Sequence, residues 1–267
     1  MKIAVCLSGL IRSFDVTSKL FKHWNTLYDD VEFYFFISTW KGIEDSFSRT
    51  RGNLKDWDFS KYKFVTKYEK VDIKNAISSG SKGAKPSAYY SYSLYRVQKM
   101  RREYEEEFDG VIQTRSDIFI DNKMLDGVVR LCKKGPKRPL SKQIFYTTEG
   151  LKNETNRYPG RFMLKNDYFG FAHPIVMDIY SLMYHEAHIA KLIPTTFHYM
   201  NGEYLMKRNI YVCRIDGVTK VFPQSLSTNP NPQFTSDAMK FLIKEYGVEW
   251  LYTEDVYRVI YEVIKTL

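Results

Sequence analysis

The stretch Lys2-Ile3-Ala4-Val5-Cys6-Leu7-Ser8-Gly9-Leu10-Ile11-Arg12 decides the fold. Ile3 to Leu7 is apolar without alternation, the mark of a strand covered on both faces. Ser8-Gly9 breaks the run. Apolar residues then recur at helical spacing, at Val16, Leu20, Phe21, Trp24 and Leu27. A doubly covered strand followed at once by a helix predicts an α/β fold, with a mostly parallel sheet and helices on both faces.

The pattern repeats further along. Val31 to Ser38 is a second apolar strand, ending at Ser38-Thr39-Trp40. Lys41 to Ser60 is polar and reads as a loop or lid. Lys63 to Tyr68 alternates like a third strand, and Ser78 to Pro86 is small and polar. Ser87 to Phe108 carries a helical stripe: Tyr89, Tyr92, Leu94, Tyr95, Val97, Met100 and Tyr104. Glu105-Glu106-Glu107 oppose the dipole at its end, so its last turn is expected to fray. Asp109-Gly110 then turns the chain into the strand Val111-Ile112-Gln113-Thr114, which delivers Arg115-Ser116-Asp117. The second half is less regular. A basic stretch leads to a strand at Gln143 to Thr148, a polar loop at 149–161 and a strand or turn at Asp167 to Ala172. Helices near 174–190 and 201–208, a strand at Ile210 to Ile215, three prolines between Phe222 and Phe234, and a helical region over 235–265 complete it. No repeat and no linker divides the chain, so one domain is expected over 1–267.

Composition narrows the classes. Of 267 residues 44% are hydrophobic and 16% aromatic, too much apolar surface for a disordered chain. Cys6, Cys132 and Cys213 are odd in number and far apart, which excludes a disulfide framework and a paired zinc motif. They suit a reducing cytosol, and the sequon Asn153-Glu154-Thr155 is then expected to be idle. No run approaches the roughly 18 apolar residues of a membrane span, and the opening run is short for a secretory signal. Cytoplasmic location is expected, in the host if the chain is viral. Forty Lys and Arg against 31 Asp and Glu leave +9, which favours anionic partners.

Open α/β sheets bind ligands beyond the carboxyl ends of their strands. Three strand ends are polar: Ser8-Gly9 with Arg12, Ser38-Thr39-Trp40, and Arg115-Ser116-Asp117. Gly9 lets backbone approach a ligand, Arg12 offers a fork for phosphate, and Trp40 can stack on a base or sugar. Read singly, they are equally a turn, a surface charge and a core side chain. Converging on one crevice, they are a site. GxxxxGKS/T and GxGxxG are both absent, as is GxSxG.

Arg115-Ser116-Asp117 is the sharpest feature. A carboxylate just past an apolar strand is costly if buried and unpaired. It becomes useful as a ligand of Mn²⁺ or Mg²⁺ bridging two phosphates. Alternatively it pairs with Arg115, or Arg115 holds phosphate itself. His198, near Glu203, is a metal ligand, a phosphate contact or a partly buried histidine. His185-Glu186-Ala187-His188 lacks the spacing of HExxH and reads as helix surface. Asp167 and Glu203 are candidate general bases for a hydroxyl, or acids that complement a helix dipole. The run 123–142 holds Lys123, Arg130, Lys133, Lys134, Lys137, Arg138 and Lys142. It is either a nucleic-acid backbone footprint, with Lys133, Lys134, Lys137 and Arg138 at its heart, or a solvated loop.

Leu7-Ser8-Gly9-Leu10-Ile11-Arg12, Ile37-Ser38-Thr39-Trp40 and the strand leading to Thr114-Arg115-Ser116-Asp117 resemble the SGxxR … STW … TRxD pattern of small glycosyltransferase-like proteins of viruses and bacteria. The resemblance covers about the first 120 residues. It implies a GT-A-like fold with residues 1–122 binding a nucleotide-sugar donor of UDP type, 123–234 on the acceptor side and 235–267 helical. By that analogy Ser8, Gly9 and Arg12 touch the nucleotide, and Asp117 takes the acidic-motif role, holding a metal; Thr39, Trp40 and Arg115, at the same strand ends, are expected to complete the nucleotide-sugar site. The usual DxD is replaced here by Arg-Ser-Asp, which lets Arg115 neutralise the diphosphate in place of a cation. The activity implied is transfer of a sugar to a hydroxyl; the +9 charge and the run 123–142 favour a hydroxymethylated base of bacteriophage DNA as acceptor over a saccharide. A non-catalytic nucleic-acid-binding module and an inert scaffold are the rivals.

Overall fold

The computed structural model describes residues 1–11, 14–41, 57–78, 80, 84–133, 140–148, 151–154, 161–164, 169–193, 195, 197–215, 219–221 and 244, at some of them the backbone alone. β1 (Lys2–Ser8) runs through the interior of a seven-stranded sheet. β2 (Glu32–Trp40) and β4 (Gly110–Thr114) flank it, both parallel to it. β3 (Val65–Val71) continues the parallel set beyond β2. Beyond β4 lie β9 (Phe169–Ala172), β6 (Ile144–Thr147) and β10 (Tyr211–Arg214). β9 is antiparallel to both β4 and β6, while β10 is parallel to β6. The order is β3-β2-β1-β4-β9-β6-β10. Six strands therefore run one way, and the expected mostly parallel α/β class is what the chain adopts.

Alternation along β1 sorts the core into two layers. Ile3, Val5 and Leu7 face α1 (Phe14–Leu27) and α3 (Asn122–Cys132). Ala4 and Cys6 face α2 (Ala84–Arg102), α4 (Pro174–Ser181) and α5 (Phe197–Lys207). Both layers are buried, which explains why Ile3 to Leu7 is apolar at every position. Two small antiparallel pairs are added: β5 (Ile118–Ile120) with β11 (Thr219–Val221), and β7 (Leu151–Glu154) with β8 (Arg161–Leu164).

Several boundaries differ from the sequence expectation. α2 stops at Arg102, six residues short of Phe108, and before the three glutamates. Its last turn holds Lys99, Arg101 and Arg102, whose charge suits a helix C-terminus. The polar stretch 149–161, expected as a loop, holds β7 and meets β8, a hairpin whose backbone groups pair with each other. The basic run 123–142 opens as helix α3, where a footprint or loop was expected. The Asp121 carboxylate caps it by accepting the Met124 N–H at 2.9 Å. Met124, Leu125, Val128 and Val129 are buried, and Lys123 and Arg130 lie on the wet side. The expected helix 174–190 is interrupted, passing into a π-helical turn at His185–Ile189. The proline-bearing stretch 222–234, the lid residues 42–56 and nearly all of the helical region from 235 lie outside the described residues.

β9 needs glycine at one position. A Cβ on Gly170 would lie 2.3 Å from Cζ of Phe145, a ring that is itself buried. Gly170→Ala is expected to cost about 2 kcal/mol through overpacking. Urea unfolding measures it. An unchanged midpoint would mean that the Phe145 ring swings aside freely.

Candidate functional site

From β1 the chain builds outward to β2 and β3, then α2 carries it back to β4 on the other side of β1. The switch point of the sheet is thus between β1 and β4, where open sheets bind ligands. Ser8 is in register with Ser38, and Leu7 with Thr114, so Arg115 follows opposite Ser8. The ends of three adjacent parallel strands are therefore level. Gly9 adopts φ +97°, a conformation that favours glycine, and a Cβ there would meet nothing within 4 Å. Its N–H donates to the Ser38 carbonyl at 3.2 Å. Thr17 Oγ1 donates to the Ser116 carbonyl at 2.6 Å, and Ser116 Oγ to the Leu10 carbonyl at 3.4 Å. These bonds tie the first turns of α1 to the loop after β4.

Asp117 is buried at 1% exposure, and Arg115 forks onto it. Nε donates to Oδ1 at 2.8 Å and Nη2 to Oδ2. Burial and pairing explain each other: the guanidinium supplies the countercharge that a desolvated carboxylate requires. Among the described residues the donor set does not fit a divalent cation. Both Asp117 oxygens serve Arg115, the pair carries no net charge, and among the described residues no three His, Cys, Asp or Glu side chains gather to hold a metal. Arg115, at 24% side-chain exposure, is the member of the pair that reaches solvent.

The other expected site residues differ in where they lie. Thr39 and Trp40 end β2, both buried; the Trp40 ring stacks on Tyr92 at 6.0 Å and meets the edge of Tyr89 at 5.8 Å. Ser38 Oγ donates to Glu69 at 2.8 Å, and Glu69 accepts both Nε and Nη2 of Arg96, raising the Arg96 pKa. Glu203 is half-buried on α5, which packs on β8, β10 and α2. Lys133 donates to Asp30 at 2.8 Å. Arg12, Asp167, Lys134, Lys137 and Arg138 lie outside the described residues, as does the side chain of His198.

A buried polar chain was missed by the sequence reading. Gln113 Nε2 donates to Ser8 Oγ at 2.8 Å, Gln98 Nε2 to Gln113 Oε1 at 3.0 Å, and Arg101 Nε to Gln98 Oε1 at 2.9 Å. Arg101 also donates through Nη2 to Asp178. The signal was present: Gln113 interrupts an otherwise apolar strand, and a polar residue there must find partners. Cys6, beside this chain, is pushed up to about 12 by burial and stays a neutral thiol.

His188, expected on a helix surface, is instead 1% exposed beneath Tyr184, with a 3.5 Å contact to Ser87 Oγ and, among the described residues, no partner on Nδ1. Burial pushes it down to about 4 from 6.5. Between those values the unfolded chain binds more protons, so stability present above pH 6.5 drains away on acidification toward pH 4. The loss for this group is about 3 kcal/mol. Urea midpoints across this range should fall less steeply for His188→Gln; parallel pH profiles would contradict the assignment.

No family model and no curated protein matches the sequence. Among solved structures the chain is similar to the galactosyltransferase LgtC in complex with donor and acceptor sugar analogues, with 12% identity over 80% of this chain and 73% of that one and a TM-score of 0.42. It is similar to the Francisella tularensis 2-C-methyl-D-erythritol 4-phosphate cytidylyltransferase, at 10% identity, 90% and 97% coverage and a TM-score of 0.41. Mouse xyloside xylosyltransferase 1 overlaps at 10% identity, 80% and 84% coverage and a TM-score of 0.39. Overlaps this distant carry no argument about chemistry.

Proposed function

We propose that the chain is a cytoplasmic glycosyltransferase that moves a sugar from a nucleotide-sugar donor to a hydroxyl. The supporting observation is the level alignment of three parallel strand ends at the switch point, with open backbone at Gly9 and a fixed guanidinium at Arg115. As the glycosidic bond breaks, its electrons pass to the leaving diphosphate, whose growing charge needs preorganised donors. Arg115, aimed by Asp117, and Arg12 supply positive charge. Ser8, Gly9, Thr39 and Trp40 contact the nucleotide. Asp167 or Glu203 takes the proton of the acceptor hydroxyl as its oxygen bonds to the anomeric carbon. Asp117 acts by holding Arg115, and no step passes through a metal.

A saccharide hydroxyl is the acceptor we favour. A hydroxymethylated DNA base is the second reading, favoured by the +9 charge. Lys133, the described member of the proposed footprint, is already engaged with Asp30. A base would also have to be flipped from its duplex to reach the donor.

A thermal-shift panel of UDP-, GDP- and CDP-sugars, each with and without Mn²⁺, tests the reading. A ligand at one hundred times its Kd adds about 2.7 kcal/mol to the native state. Stabilisation by one nucleotide class, indifferent to Mn²⁺, is expected. Silence across the panel would overturn the donor, and a shift seen only with Mn²⁺ would overturn the metal-free assignment. Salt-sensitive binding of duplex DNA would favour the second acceptor.

A further inference from the structure

Ser8 and Ser38 lie side by side at the ends of β1 and β2, yet their hydroxyls are bonded in opposite senses. Ser38 Oγ gives its hydrogen to Glu69 at 2.8 Å. Ser8 Oγ receives one, from Gln113 Nε2 at 2.8 Å. The polarity at Ser8 follows from chemistry three groups away. Arginine has donors only, so Arg101, 5% exposed and anchored by Asp178, must meet the oxygen of Gln98. The Gln98 nitrogen is then left to donate to Gln113 Oε1, and the Gln113 nitrogen to Ser8. Neither amide can flip without setting a donor against a donor in a buried site. Ser8 accepts as a result, and among the described residues no acceptor takes its own hydrogen. Ser8 itself is 2% exposed, at the end of β1 and immediately before the open backbone of Gly9.

We propose that Gln113 is a positioning residue, which, held by Gln98 and Arg101, turns the Ser8 hydroxyl into a hydrogen-bond donor toward a phosphate oxygen of the bound nucleotide. The proposal rests on the nucleotide-sugar reading and adds to it a built-in preference. The end of β1 is wired to recognise an anionic acceptor, whereas the adjacent end of β2, through Ser38 and Glu69, is not. Hydrogen bonds to charged oxygens are the stronger kind, so the wiring contributes selectively to the diphosphate.

Isothermal titration of UDP, GDP and CDP into the full chain tests it, using wild type, Ser8→Ala, Gln113→Glu, Gln113→Met and the double variant Ser8→Ala/Gln113→Glu. The nucleotide that binds wild type should bind Ser8→Ala about tenfold more weakly. Gln113→Glu keeps the shape but draws the Ser8 hydrogen inward, so it should lose as much, with no further loss in the double variant. Gln113→Met, which leaves the hydroxyl free to rotate, should lose less than Gln113→Glu. If Gln113→Glu fails to fold, Gln98→Met reads the same chain one step back, because an unheld Gln113 amide can flip and present its oxygen to Ser8; weaker binding is again expected. Binding by wild type with unchanged Kd in the Gln113 and Gln98 variants, whatever their melting temperatures, overturns the proposal alone. Failure of all three nucleotides to bind wild type overturns the nucleotide reading and the proposal together.

Discussion

Replacing Asp117 by asparagine is expected to lower the stability of the chain by about 4 kcal/mol, because it leaves half of a buried ion pair uncompensated. The carboxylate is almost wholly buried and both of its oxygens serve Arg115. An amide can satisfy one arm of the fork, but its nitrogen confronts the other, donor against donor. Urea unfolding with linear extrapolation gives the loss. Nucleotide binding should fall with it, since the guanidinium loses its aim. The apolar double substitution Arg115→Met/Asp117→Leu separates the two effects. It is expected to recover most of the stability, as swaps of buried pairs for packed apolar groups do, while binding remains lost. A single-variant loss below about 1 kcal/mol would place the pair among ordinary surface contacts and remove the reason for Asp117 to be there.

Phe14→Ala is expected to cost about 4 kcal/mol, the range for deleting a buried aromatic ring and leaving its cavity. Phe14 opens α1, fully buried, with ring edges meeting Tyr62 at 4.9 Å, Phe59 at 5.3 Å and Trp57 at 5.6 Å. It thereby seats the turn between β1 and α1, the segment that carries Gly9. Phe14→Leu, which fills more of the cavity, should lose less than half as much. Equal losses for the two would show that the edge contacts, rather than volume, dominate the site.

The first 120 residues were legible because β1, β2 and β4 are buried on both faces, and unbroken apolar runs leave little room for another reading. The same dryness made Ser8, Ser38 and Arg115 conspicuous as polar groups at strand ends. Parallel pairing then placed them together without any further information. The second half was harder to read, since short elements such as β7, Leu-Lys-Asn-Glu, carry no period. The helix α3 was concealed because its lysines and arginine were counted as a charge run, whereas its apolar residues at i, i+1, i+4 and i+5 mark one buried face. The relay behind Ser8 was hidden for another reason: Gln98 and Arg101 are neighbours on α2, but Gln113 and Asp178 join them only through tertiary packing, which no spacing in the chain records. His188 shows the same limit, because a histidine on an irregular turn gives no sign of which way it faces.

The central claim is that the ends of β1, β2 and β4 share one bound nucleotide, its diphosphate at β1 and β4. Backbone amide NMR of the labelled chain, titrated in turn with UDP, GDP and CDP, tests it most directly. The account predicts that the nucleotide that binds shifts Gly9, Ser38 to Trp40 and Arg115 to Asp117 together, with a single affinity. Shifts confined to the Lys123 and Arg130 side of α3, or to one strand end without its neighbours, would contradict it.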